Sequence, residues 1–196
     1  AYNNLLLQRD GNRYRWELLE NQNLTLQHLD TNEVLKTVRL GIECGRLPED
    51  TGTDVPVILG KFGLLKDGVL NNAAAVLFGK HEDMEYPQCL LRLARFKGTD
   101  KTVFMDSQRI QGNFFQLLNA AMAFIFKHLS LSGTTDTLER EEHLTIPYKA
   151  IREGVLNSLT HRSYKEAGGS VGIAIYDDRV EIENPGTFPP DWDAEK

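Results

Sequence analysis

Arg152-Glu153-Gly154-Val155-Leu156-Asn157-Ser158-Leu159-Thr160-His161-Arg162-Ser163-Tyr164, followed by Ile173-Ala174-Ile175-Tyr176-Asp177-Asp178-Arg179-Val180-Glu181-Ile182-Glu183-Asn184-Pro185-Gly186, is the stretch on which the reading of this chain turns. In its first half Ile151, Val155, Leu156 and Leu159 recur at helical spacing and form an apolar stripe. Glu153, Asn157 and His161 stack four apart on another side. Thr145-Ile146-Pro147 supplies an N-cap and a proline near the first helical position, so the helix is predicted to run through about Tyr164. The Gly168-Gly169 pair breaks it. In the second half, Val171 to Ile175 and Arg179 to Glu183 alternate as two strands about an Asp177-Asp178 turn, and Asn184-Pro185-Gly186 ends the hairpin sharply.

Working toward the N-terminus, Asn113 to Leu129 reads as a core helix with Phe114, Leu117, Leu118, Ala121, Phe124, Ile125 and His128 on or near its buried face. His128 has no partner at ligand spacing and is read as a core or helix-end residue. Gln88 to Phe96 and the strand that opens at Val103-Phe104-Met105 form a hairpin about Gly98-Thr99-Asp100-Lys101. Ser130 to Glu142 reads as a polar link. Earlier still, Asp30 or Thr31 caps a helix with Val34, Leu35, Val38 and Ile42 at helical spacing, which ends near Gly45. A short helix runs from Asp54 to Gly63, with Pro56 in its first turn. Leu64-Leu65 and Val69-Leu70 flank a Lys66-Asp67-Gly68 turn, and Asn71 to Phe78 suits a short, closely packed helix. Arg13 to Leu18 alternates large and polar groups as a strand would, while residues 1 to 12 read as a tail or linker. Helix, helix and hairpin in this order are compatible with a winged-helix-like unit, or with elements that simply pack on the next domain. The second helix offers little positive charge beyond Lys61 and Lys66, which favours the plainer reading.

Composition sets the outer limits. At 196 residues, 41% hydrophobic and 26% charged, the chain has ordinary globular composition and enough length for a core. A net charge of −6 argues against a non-specific nucleic-acid coat. The apolar run around Phe114 to Phe126 is broken by Gln116 and Asn119, so no membrane span is expected. No secretory signal is read at the N-terminus, and a cytoplasmic protein is expected. Cys44 and Cys89 have no metal-ligand spacing and are read as reduced, buried thiols. The chain begins without Met and stops soon after a Pro-rich stretch, so a piece of a longer protein is expected.

The polar row on the 145–164 helix has two readings: a solvated face or a chemical site. For the second, the Asn157 side-chain oxygen is a hard ligand suited to Mg²⁺, which takes much of its shell from waters and nucleotide phosphates. Glu153, one turn earlier, can hold or deprotonate a water for attack on a γ-phosphate. His161 and Arg162 can place positive charge near a phosphate, although Arg162 also suits a plain surface ion pair.

These strings resemble the ATPase-like C-terminal domain of bacterial transcriptional-regulator-like proteins described as "ATP-dependent DNA helicase RecG-related", which usually carry an N-terminal Schlafen-type DNA-binding domain. Gly63 to Ala74 and Leu93 to Lys101 are similar to the middle region of the same family. The resemblance implies an incomplete GHKL-like α/β sandwich over 80–196, so that with the linker and small helical, winged-helix-like part read over residues 1–79 an α+β chain is expected. It implies ATP and Mg²⁺ as cofactors, Glu153 as the catalytic residue, Asn157 as the metal ligand, and His161, Arg162, Asn184 and Gly186 on the nucleotide side. Where GHKL proteins carry an Asp-x-Gly-x-Gly loop for the adenine amino group, this chain has Asn184-Pro185-Gly186, which brings no charge. The glycine-rich lid that follows in GHKL proteins lies past the end of this sequence, so weak or no ATP affinity is expected of the piece itself. Expected partners are DNA, through a domain outside this stretch, and a second copy of the chain. A non-catalytic regulatory or dimerisation module that keeps the fold without ATP is the alternative. Helicase activity is not expected, because no Gly-x-x-x-x-Gly-Lys-Ser/Thr loop is present.

Overall fold

The computed structural model describes residues 15–80, 86–129, 131–134, 141–144 and 146–186. The fold is α+β, and the chain divides into two units: Gly112–Phe115 groups with the residues before 86, and the remainder forms the second unit.

In the first unit the helix starts are local chemistry. Asp30 accepts from the Asn32 and Glu33 amides at the head of α1 (Thr31–Glu43), Asp54 from the Val57 amide at the head of α2 (Val55–Lys61), and Asn71 from the Ala74 amide at the head of α3 (Asn72–Phe78). Gly45 and Gly63, just beyond α1 and α2, take the left-handed conformation that stops a helix. β1 (Leu65–Lys66) and β2 (Val69–Leu70) pair across a two-residue turn in which Asp67 and Gly68 both have positive φ, the tight hairpin geometry expected there. Leu29, Val34, Val38, Ile58, Leu59, Leu64, Leu70, Ala74 and Phe78 form the core of this unit.

Trp16–Leu18 is a single 3-10 turn and not the strand its alternation suggested. Among the described residues no strand lies beside the segment: Leu18 bonds back to Arg15, Asn72 donates to the Trp16 carbonyl, and an isolated bridge joins Glu20 to Asn71. Residues 1–14, which hold the expected tail and the start of that segment, lie outside the described residues.

The second unit is built on a mixed four-stranded sheet in the order β4-β3-β7-β8. Its strands are β3 (Leu90–Phe96), β4 (Phe104–Gln111), β7 (Val171–Ile175) and β8 (Val180–Glu183); β3 and β7 run parallel, and the outer pairs are the two hairpins. One face carries Leu91, Leu93, Val171, Ile173 and Ile175, all essentially buried. α4 (Phe114–His128) and α5 (Tyr148–Thr160) lie on that face, as the bonds from Lys127 and His128 to Asp106 and the contact of Gly154 with Ile182 show, since Asp106 and Ile182 share the face by register. From the end of α4, Lys127 and His128 both reach the Asp106 carboxylate at 2.8 Å, which gives His128 its helix-end role. From α5, Gly154 sits so close to Ile182 that an added Cβ would lie 3.2 Å from its Cδ1.

Two sequence expectations change here. Part of the polar link after α4 is a hairpin of β5 (Leu131–Thr134) and β6 (Glu141–Leu144). α5 ends at Thr160, short of Tyr164. One tertiary and one local bond mark its end: the Ser163 amide donates to the Pro185 carbonyl at 2.6 Å, and the Tyr164 hydroxyl donates back to the Leu159 carbonyl at 2.8 Å. The expected cap Thr145 lies outside the described residues, and Pro147 occupies the N-cap position without a side-chain bond. Among the described residues no helix is long and apolar enough to cross a membrane.

Candidate functional site

The candidate site follows from how α5 meets the loop after β8. Ile151, Val155, Ser158 and Leu159 are buried against the sheet, which turns Glu153 and Asn157 to the exposed side. His161 is the C-cap residue, exposed, with its amide donating to the Asn157 carbonyl at 2.9 Å. Asn184-Pro185-Gly186 is fastened onto this helix end by the bond from Ser163 to Pro185. The loop is also close-fitting. A Cβ on Gly186 would lie 3.4 Å from the His161 carbonyl oxygen, and one on Gly169 only 2.7 Å from Pro185 Cγ.

The structure therefore brings Asn184, Gly186 and His161 together, with Asn157 one turn and Glu153 two turns back along the exposed face. Among the described residues there is no cluster of three or more His, Cys, Asp or Glu side chains able to hold a metal ion. A cation here would rest on Asn157 and Glu153 with ligand oxygens and water completing its shell.

No family model matches the sequence, and no curated protein matches it. The fold is similar to that of the DIP2311 protein from Corynebacterium diphtheriae, known from a crystal structure, with a TM-score of 0.68 at 15% identity. The match covers 95% of this chain and 36% of that one. At that identity the likeness speaks for the fold alone.

Arg162 departs from both of its sequence readings, phosphate contact and surface ion pair. It is 5% exposed, its Nη2 donates to the Gly169 carbonyl at 3.0 Å, and its guanidinium lies 4.8 Å from the Tyr164 ring centroid. Its Nε and Nη1 are buried and have no hydrogen-bond partner among the described residues. Burial lowers its pKa, and Tyr164, Cys89 and Glu166 work against that shift. The signal was present in the spacing: Arg162 follows Ser158 by four and Leu159 by three, so it continues the buried stripe past the helix end. By holding the Gly169 carbonyl it steadies the backbone that Pro185 rests on, a positioning role that the sequence did not disclose for either residue.

Beside it, Cys89 is 1% exposed, and burial pushes its thiol up to about 12 despite the charge of Arg162. Cys44, read from sequence as buried, is exposed just past the end of α1, where the stripe that buries Val34 and Val38 has turned away. Iodoacetamide at pH 8 is expected to alkylate Cys44 and spare Cys89 in the folded protein, and to reach both in denaturant; mass spectrometry of the labelled peptides checks this. Rapid native labelling of Cys89 would overturn its burial.

Proposed function

We propose that this chain carries the nucleotide-side helix and the adenine-side loop of a GHKL-like Mg-ATP-binding domain in a cytoplasmic transcriptional-regulator-like protein. The observation that supports the reading is the fastening of Asn184-Pro185-Gly186 onto the end of α5, beside the exposed row of Glu153, Asn157 and His161. In this reading Asn157 binds Mg²⁺ through its side-chain oxygen, Glu153 orients the attacking water, His161 lies by the phosphates, and Asn184 accepts from the adenine amino group. Arg162 acts from below the loop. DNA binding belongs to a domain outside this stretch, and a second copy of the chain completes the regulator.

Calorimetric titration of Mg-ATP into the full-length protein tests the site. Binding is expected, and Asn157→Ala is expected to weaken it by roughly 10-fold to 100-fold, the worth of one hydrogen bond or ligand to a charged group. No binding, or binding indifferent to that substitution, sinks the site.

The neutral Asn184 favours a second reading, a regulatory module that keeps the fold without turnover. Single-turnover phosphate release separates the two. An ATPase loses about 10²–10⁴-fold with Glu153→Gln, whereas a scaffold has no such rate to lose.

A further inference from the structure

The face of the second unit's sheet that α4 and α5 leave uncovered has a definite chemical order. Strand register sets it: one row across β4, β3, β7 and β8 reads Arg109, Arg92, Gly172, Glu183, and the next reads Ser107, Ala94, Ala174, Glu181. Two arginines thus stand side by side at one end, two glutamates at the other, and small residues form the floor between them. These groups line a concavity of about 340 Å³, within the ~300–1,000 Å³ range usual for small-molecule sites.

Three observations separate this face from an ordinary solvated one. Arg92 and Arg109 are direct cross-strand partners, and like charges so placed repel. Neither has an ion pair among the described residues, although nearby charges are paired: Arg95 with Asp177, Arg179 with Asp178 and Glu181, Lys127 with Asp106. The floor is also open. Among the described residues a Cβ on Gly172 would meet only Glu183, at 3.9 and 4.0 Å, so the carboxylate lies beside a space that no described side chain fills. Glu183 itself is held only loosely, by Lys101 at 3.7 Å in an exposed pair.

We propose that this open sheet face binds a small zwitterion, whose oxyanion is held by Arg92 and Arg109 and whose ammonium group is held by Glu183 in place of Lys101. The guanidinium fork suits a carboxylate or a phosphate, and two adjacent forks supply donors to both oxygens of a carboxylate or to the terminal oxygens of a phosphate monoester. The short body of the ligand lies over Ala94, Gly172 and Ala174. Because the site is on the opposite side of the sheet from α5, it stands or falls independently of the nucleotide reading.

NMR titration of the full chain tests it with four probes: O-phosphoethanolamine and β-alanine, which carry both charges, and inorganic phosphate and ethanolamine, which carry one. At least one zwitterion is expected to bind saturably, with shifts concentrated on amides of β3, β4 and β7, and roughly tenfold more tightly than either single-charge probe. Which zwitterion wins identifies the oxyanion. Arg92→Gln and Arg109→Gln are each expected to weaken binding by about tenfold or more. Gly172→Val is expected to fill the floor and abolish binding while the protein unfolds at an unchanged midpoint, since valine suits a strand. Absence of saturable binding by both zwitterions, inorganic phosphate binding as tightly as either, or binding that survives Gly172→Val would each overturn the proposal.

Discussion

Ile173→Ala is expected to destabilise the second unit by about 2–5 kcal/mol, the usual cost of emptying a packed aliphatic site. Ile173 is 1% exposed at the middle of β7. Its Cα partners are Leu93 on the parallel side and Ile182 on the antiparallel side, and both carry side chains on the helix-covered face. Removing three carbons there leaves a hole bordered by strands that are already fixed by their ladders, so little collapse is available to refill it. Urea unfolding should show a lower midpoint with an unchanged m-value. Leu18→Ala provides the contrast: Leu18 is 55% exposed in the 3-10 turn, and a change within about 0.5 kcal/mol is expected. A loss below 1 kcal/mol at Ile173 would mean that this strand is not the centre of the core.

Gly169→Ala carries the second large effect, and Gly168→Ala is its control. A Cβ at Gly169 would stand 2.7 Å from Pro185 Cγ and 3.3 Å from the Glu166 carbonyl oxygen, whereas one at Gly168 meets nothing within 4 Å. The proline ring has no rotamer by which to step aside, so the loop itself must move. A loss of about 1–3 kcal/mol is expected at Gly169, with faster amide exchange at Ser163 as its bond to Pro185 loosens. At Gly168 stability is expected to hold or to rise by about 0.4–1 kcal/mol from the reduced freedom of the unfolded chain. Equal effects at the two glycines would refute the close packing of the loop on the helix end.

The elements legible in the sequence were those whose cause lies within a few residues. Asp30, Asp54 and Asn71 cap helices because their side chains reach amides two or three positions ahead, a bond that requires nothing distant. Asp67-Gly68 turns a hairpin because a short polar residue and a glycine tolerate positive φ. The alternation in Val171 to Ile175 and Val180 to Glu183 and the apolar stripe of α5 likewise give strand and helix directly. What misled was the same kind of signal read without a partner. Among the described residues no strand lies beside the alternating Arg13 to Leu18 segment, and α5 stops at Thr160 where Pro185, twenty-two residues beyond Ser163 in sequence, takes the Ser163 amide.

By itself, the sequence determined where the helices lie, the two hairpins of the main sheet and the four-residue spacing of Glu153, Asn157 and His161, since periodicity is local; that the row is exposed was decided by the packing of the opposite stripe on the sheet. Only the tertiary structure decided that β3 pairs with β7 in parallel, about 80 residues apart, because that pairing depends on loop closure and on which faces are buried together. The same register lines up Arg109, Arg92, Gly172 and Glu183 across four strands drawn from distant stretches of chain. The spacing of Arg162, three residues past Leu159, already carried it toward the buried side, but only the tertiary structure decided that it holds the Gly169 carbonyl.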